Sequence, residues 1–160
     1  MSSVILYHGS QEEVIYPEIR ITKYTKDFSF GFYCTNNYDQ AYRWANRKTR
    51  PGVINRYTYA ENPELKICRF PDMNNEWLDF IANCRAGIPH SYDIVEGPMA
   101  DDTIWDFVNG FLDGKISRSI FWEYAKFKHP THQISFHTIN ALRCLTFEGS
   151  ELIHDREGKR

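Results

Sequence analysis

The order of its strand-like and helix-like segments is what most constrains the fold of this chain. Apolar or β-branched runs occur near both ends and in the middle: "VILYHG" (4–9), "VINRYTY" (53–59), "LKICRF" (65–70), "YDIVEG" (92–97), "QISFH" (133–137) and "CLTFEG" (144–149). Helical spacing appears between them. Tyr38, Ala41, Tyr42 and Ala45 repeat at the helical period, with Asn36 or Asn37 able to cap the start and Pro51 beyond the end. Trp77, Phe80, Ile81 and Cys84 define a second helix, closed by Gly87. Ile104, Phe107, Val108 and Phe111 define a third, begun by Asp101 and Asp102. A fourth spans 117–127, where Ile120 and Tyr124 share a face. These helices do not alternate with strands as repeated strand-helix-strand units, so the pattern predicts an α+β domain rather than a doubly wound sheet. The turn-prone "AENPE" predicts that 53–59 and 65–70 pair as a hairpin. Residues 11–30, with the Tyr16-Pro17 pair, read as irregular.

A length of 160 residues suits one domain, expected over 1–154, with "DREGKR" (155–160) as a polar tail. The aromatic share of 16% is high, so aromatic rings are expected in the core and along a pocket wall. A net charge of -2 with scattered Lys and Arg gives no general attraction to a polyanion, which argues against nucleic acid as a partner. Cys34, Cys68, Cys84 and Cys144 have neither zinc-site spacing nor the density of a disulfide framework, so reduced thiols and no metal are expected. No apolar run has membrane-spanning length, and no secretory signal opens the chain. A soluble, cytoplasmic protein is the expectation; delivery to another cell by a signal-free route would leave no trace in the sequence. There is no G-x-G-x-x-G and no Walker loop.

Three segments carry the candidate chemistry. "LYHGS" (6–10) ends a first strand in His8 and Gly9, "FGFYCT" (30–35) precedes a helix, and "THQISFHT" (131–138) opens a late strand with Gln133. Taken alone, His8 is one of six histidines, and a histidine at a strand end is more often structural than functional. His132 and His137 flank Gln133 without completing a metal-ligand set. Trp44, Trp77, Trp105 and Trp122 fall in expected helices and read as packing groups.

In that order the three segments resemble the signature strands of the ADP-ribosyltransferase superfamily of the diphtheria-toxin and poly(ADP-ribose) polymerase type. More closely, the chain resembles the bacterial family called domain of unknown function 3990, placed in that superfamily. Its pattern of "LYHGS", "DFxxGFYxT", "QAxxWA", "EWLDFI", "YDIVxGPxAxD" and "QISFHT" runs from Leu6 to Thr138. The resemblance implies a split mixed and antiparallel β-sheet core flanked by helices, with NAD as the substrate-cofactor. It implies that His8 donates to the adenosine ribose, that the Gly9 backbone pairs with the nicotinamide carboxamide, and that Tyr33 stacks on the nicotinamide ring. On the same resemblance Phe32 or another aromatic helps to wall the pocket, and Ser10 and Thr35 border it, Thr35 being equally a helix cap. Gln133 stands where the resembled enzymes carry a catalytic glutamate; it keeps hydrogen bonding and lacks the charge. A carboxylate from elsewhere is then wanted, and "YDIVEGPMADD" offers Asp93, Glu96, Asp101 and Asp102. Asp93 and Glu96 read as solvated acids, Asp101 as a helix-start residue, and Asp102 as the open candidate for a catalytic carboxylate.

The function so implied is NAD-dependent mono-ADP-ribosyl transfer to a macromolecular acceptor, a protein being expected, with release of nicotinamide. The alternative is a binding module that keeps an NAD or ADP-ribose pocket without turnover. An RNA phosphate-processing activity on the same fold would need basic residues around the pocket, which the charge disfavours. Neither membrane nor nucleic acid is an expected partner.

Overall fold

A computed structural model describes residues 3–21, 26–46 and 51–153, with the side chain of Asp102 outside the described set. Strands β1 (Ser3–Ser10), β3 (Gly52–Ala60) and β7 (Leu145–Ile153) form one antiparallel sheet in the order β1-β3-β7. Strands β2 (Phe32–Cys34), β6 (His132–Phe136), β5 (Ile94–Pro98) and β4 (Ile67–Arg69) form the second, in the order β2-β6-β5-β4. Among the described strands only β4 and β5 run parallel. The predicted α+β class, with two sheets flanked by helices, is what the chain adopts.

The predicted hairpin is not. Strand β3 lies between β1 and β7 in the first sheet, whereas β4 pairs with β5 in the second. The turn between them moves the chain from one sheet to the other. Local turn chemistry cannot distinguish that crossing from a hairpin.

The helices begin where side chains satisfy their exposed N–H groups. Asn37 caps α1 (Tyr38–Ala45) by accepting from Gln40 N at 2.9 Å, which settles the choice between the two asparagines. Asn74 caps α2 (Asn75–Arg85), Asp101 caps α3 (Asp102–Leu112) and Ser117 caps α4 (Arg118–Ala125). Gly87 ends α2 at φ 88°, with its N–H on Cys84 O and that of Ile88 on Asn83 O, the paired bonds of a Schellman stop. In α4 the buried face carries Phe121 and Ala125; Ile120 and Tyr124 share the exposed face instead. A short α5 (Ile139–Leu142), capped by Thr138, has too few residues to show a period in the sequence.

Two main cores result. Leu6, Tyr57 and Tyr59 of the first sheet meet Phe32, Ile134 and Phe136 of the second. On the far face of the second sheet, Tyr33 and Val95 pack against Trp77, Ile81, Ile104, Val108 and Phe121 of the helices. Helix α1 lies flat on β1 and β3, so close that a Cβ on Gly9 would stand 2.0 Å from Ala41 O, and one on Gly52 2.2 Å from Ala45 O. A glycine on each strand, Gly9 on β1 and Gly52 at the start of β3, makes that approach possible. All four cysteines are free thiols. The predicted tail, 155–160, lies outside the described residues.

Candidate functional site: a cleft where the sheets part

Among the described residues the backbones of the two sheets are joined at one bridge, in which Tyr7 N–H donates to Thr35 O at 2.8 Å and Thr35 N–H to Tyr7 O at 2.9 Å. Backbone groups alternate sides along a strand, so Gly9, two residues on, directs its N–H and C=O the same way, toward Tyr33. The ladder does not continue there. The Tyr33 carbonyl instead accepts from His8 Nδ1 at 2.7 Å, and β1 and β2 diverge. A cavity of about 400 Å³ fills the divergence, bordered by His8 and Gly9 of β1, Tyr33 of β2, Gln133 of β6 and the carboxyl residues Asp27 and Asp101.

The histidine ring is fixed by two contacts. Because a carbonyl only accepts, Nδ1 carries the proton, and Phe32 stacks on the ring at a centroid distance of 4.1 Å. Burial pushes the imidazole pKa down to about 4, against the hydrogen bond to Tyr33 that favours protonation, with Lys26 and Arg20 pushing the same way as burial. A neutral ring with Nδ1 engaged leaves Nε2 as an acceptor. That ring offers a hydroxyl a hydrogen-bond acceptor, where the resemblance implies a donor.

Tyr33 is anchored by its hydroxyl, which donates to Ser29 O at 2.6 Å and accepts from Phe28 N–H at 2.9 Å. Those bonds hold a turn in which Ser29 takes φ 80°, a left-handed conformation unusual for a residue with a Cβ. Burial, with Asp27 nearby, keeps the phenol protonated well above its usual range. Tyr33 borders both the main cavity and a second lobe of about 220 Å³, which His8 and Lys26 also border.

Gln133 is buried, and its Nε2 donates to Asp27 Oδ2 at 3.1 Å. Asp27 is therefore the carboxylate beside Gln133, and it comes from the irregular segment before β2 rather than from residues 92–102. Arg85 of α2 reaches Asp27 Oδ1 at 2.5 Å, and its guanidinium lies 3.6 Å from the Trp105 ring centroid. Lys26 and Trp44 also border the cavity, so Trp44 is the one tryptophan of the four at the site.

The remaining expectations divide. Phe32 borders the smaller lobe and backs His8. Ser10 also borders the smaller lobe, its hydroxyl donating to Glu12 O. Thr35 is fully buried, its hydroxyl on His132 O, and it faces a different concavity. Its role is to join β2 to β6 and to the start of α1, where its Oγ1 accepts from Asn37 N–H. Asp93 accepts from Thr138 and Lys66 N–H, and Glu96 pairs with Arg69, both away from the cleft. Asp101 both caps α3 and borders the cleft. The Asp102 side chain lies outside the described residues. His137 packs edge-on to the Tyr33 ring and bonds Phe30 O and Ser135 Oγ. Among the described residues no group of His, Cys, Asp and Glu gathers to hold a metal ion, and no helix is long and apolar enough to cross a membrane.

The family described as Protein of unknown function (DUF3990) matches residues 4–147. The chain belongs to this family. The match runs from β1 into the start of β7, so the DUF3990 region contains every residue of the cleft named above. Neither the curated proteins nor the solved structures yield a match.

Proposed function

We propose that this DUF3990 protein is an NAD-dependent mono-ADP-ribosyltransferase of the diphtheria-toxin and poly(ADP-ribose) polymerase superfamily, acting on a protein acceptor. One observation carries the reading: His8, Gly9, Tyr33 and Gln133, from three strands distant in sequence, border a single cavity at the parting of two sheets. The second lobe beyond His8, Lys26 and Tyr33 supports it, because a dinucleotide has two heterocycle-sugar halves to house. Lys26, on the wall common to both lobes, suits the diphosphate between those halves.

The transfer breaks the bond between the ribose anomeric carbon and the nicotinamide nitrogen. Nicotinamide leaves neutral with the bonding pair, and an acceptor nucleophile bonds the same carbon and loses a proton. Positive charge grows on the ribose, so acceptor oxygens and negative charge near the sugar favour the reaction. Gly9 would present one N–H and one C=O to a carboxamide, His8 Nε2 would accept a hydroxyl, and Gln133 would bond a second hydroxyl. A neighbouring concavity of about 480 Å³ adjoins the cleft at Trp44, Met99 and Asp101 and offers an open side for a macromolecular acceptor.

A second reading, an NAD or ADP-ribose-binding module without turnover, is favoured by Gln133 itself. The amide carries no charge, and the carboxylate beside it is shared with Arg85. Incubation with adenylate-labelled NAD in a target-cell extract separates the two. Label transfer with nicotinamide release, lost in His8→Ala, Tyr33→Ala and Gln133→Ala, supports the transferase. Tight binding with no nicotinamide release supports the module, and label transfer undiminished in all three variants excludes this cleft.

A further inference from the structure

Gln133 Nε2 lies 3.1 Å from Asp27 Oδ2. A carboxylate accepts and does not donate, so the amide can sit only one way round, with NH2 toward Asp27 and Oε1 turned away from it. Asp27, 6 % exposed, is itself gripped from three directions. Its Oδ2 also accepts from Ala100 N–H at 2.8 Å, and its Oδ1 takes the Arg85 guanidinium, which rests on Trp105. The carboxylate cannot turn without losing one of these bonds.

We propose that Asp27 is the positioning residue of the cleft: it locks the Gln133 amide so that Oε1 is presented as the acceptor for a ligand hydroxyl. Identifying that hydroxyl as one of the NAD ribose rests on the proposed function, whereas the lock rests on the contacts alone. Donation by the NH2 group to a carboxylate polarises the amide and adds negative charge to Oε1. Glutamine and aspartate together thus offer the ligand an oriented acceptor backed by a carboxylate.

The same geometry explains why a glutamate does not belong at position 133 in this chain. A glutamate carboxylate there would meet Asp27 Oδ2 in place of the amide donor, with the Arg85 guanidinium already engaged on Oδ1. Two carboxylates so close hold one proton between them.

The test compares Gln133→Glu, Asp27→Ala and the double variant with the wild type at pH 5.5 and pH 8, reading NAD affinity by calorimetry and the melting midpoint. At pH 8, Gln133→Glu binds NAD at least about tenfold more weakly and melts lower, and both deficits shrink at pH 5.5 as the carboxylate pair takes up its proton. Asp27→Ala also binds NAD at least about tenfold more weakly, because nothing holds the amide. In the Asp27→Ala background the Gln133→Glu change lowers the pH 8 midpoint by less than it does in the wild type, because no second carboxylate faces it. Should Gln133→Glu fail to fold, a folded double variant reports the same coupling. The proposal is overturned if Gln133→Glu equals or exceeds the wild type at pH 8, if its melting deficit is the same at both pH values, if Asp27→Ala binds NAD as tightly as a wild type that binds it, or if Gln133→Glu costs as much in the Asp27→Ala background. The melting arm needs no NAD, so a wild type that binds none retires the NAD reading and leaves the lock to be judged by the pH dependence.

Discussion

His8 Nδ1 donates to the Tyr33 carbonyl at 2.7 Å, in the position where the Gly9 N–H would pair if β1 and β2 had stayed together beyond Tyr7 and Thr35. A side chain replaces a rung of the ladder. That substitution opens the cleft and turns the Gly9 backbone toward it.

Replacing His8 by Ala should therefore harm the site more than the fold. The loss of one partly buried hydrogen bond and the Phe32 stack costs about 1–2 kcal/mol. Binding of NAD should weaken by about tenfold or more, since one ligand contact and the order of the β1 edge go together. Urea unfolding and calorimetry on the same preparation measure the two effects separately.

Tyr33 separates ring from hydroxyl. Tyr33→Phe keeps the cleft wall and loses the bonds to Phe28 N–H and Ser29 O, for a cost of about 1–2 kcal/mol in stability and only a few-fold in NAD affinity. Tyr33→Ala removes the wall as well and should abolish measurable binding. Equal affinities for the two variants would mean that the ring does not face the ligand.

The glycines give a purely steric prediction. Gly9→Ala drives a methyl to 2.0 Å from the Ala41 carbonyl, which backbone cannot yield cheaply, so a loss of about 3 kcal/mol or more is expected with displacement of α1. Gly87→Ala meets nothing within 4 Å and costs only the strain of φ 88°, about 1 kcal/mol. Denaturant midpoints of the two variants should differ in that order.

Acid should weaken the fold before carboxylates titrate. The His8 and His137 rings are both held at about 4 when folded, chiefly by burial, against an ordinary histidine pKa of about 6.5. Between those values the unfolded chain binds more protons than the folded one, so stability is full above about pH 6.5 and falls as pH drops toward 4. Each ring contributes on the order of 3 kcal/mol to that fall when it is complete. Urea midpoints at pH 7.5 and pH 5 should show the loss, and His137→Gln should reduce its slope.

Much of this was readable in the sequence, for reasons specific to each part. The first strand and the four longer helices declared themselves by apolar periods and by capping residues at the right offset. Strand β2 has three residues, too few for a period, and was found only through the company of Tyr33. The fate of β4 depends on a parallel partner, β5, about 25 residues further along, which a local turn signal cannot foresee. Asp27 was missed because it lies in an irregular segment where no period separates buried from exposed. The cue it offered was its place at the head of the "DFxxGFYxT" pattern, an acid set directly before an aromatic run. Arg85 was hidden likewise, since a charge in the last turn of a helix reads first as a response to the helix dipole.

The central claim is that His8, Gly9, Tyr33 and Gln133 form one NAD-binding cleft. Calorimetric titration of NAD into the wild type and into His8→Ala, Tyr33→Ala and Gln133→Ala tests it most directly. Saturable binding at one site in the wild type, weakened in all three variants while each stays folded, is the predicted result. No heat in the wild type, or undiminished affinity in the variants, would contradict it.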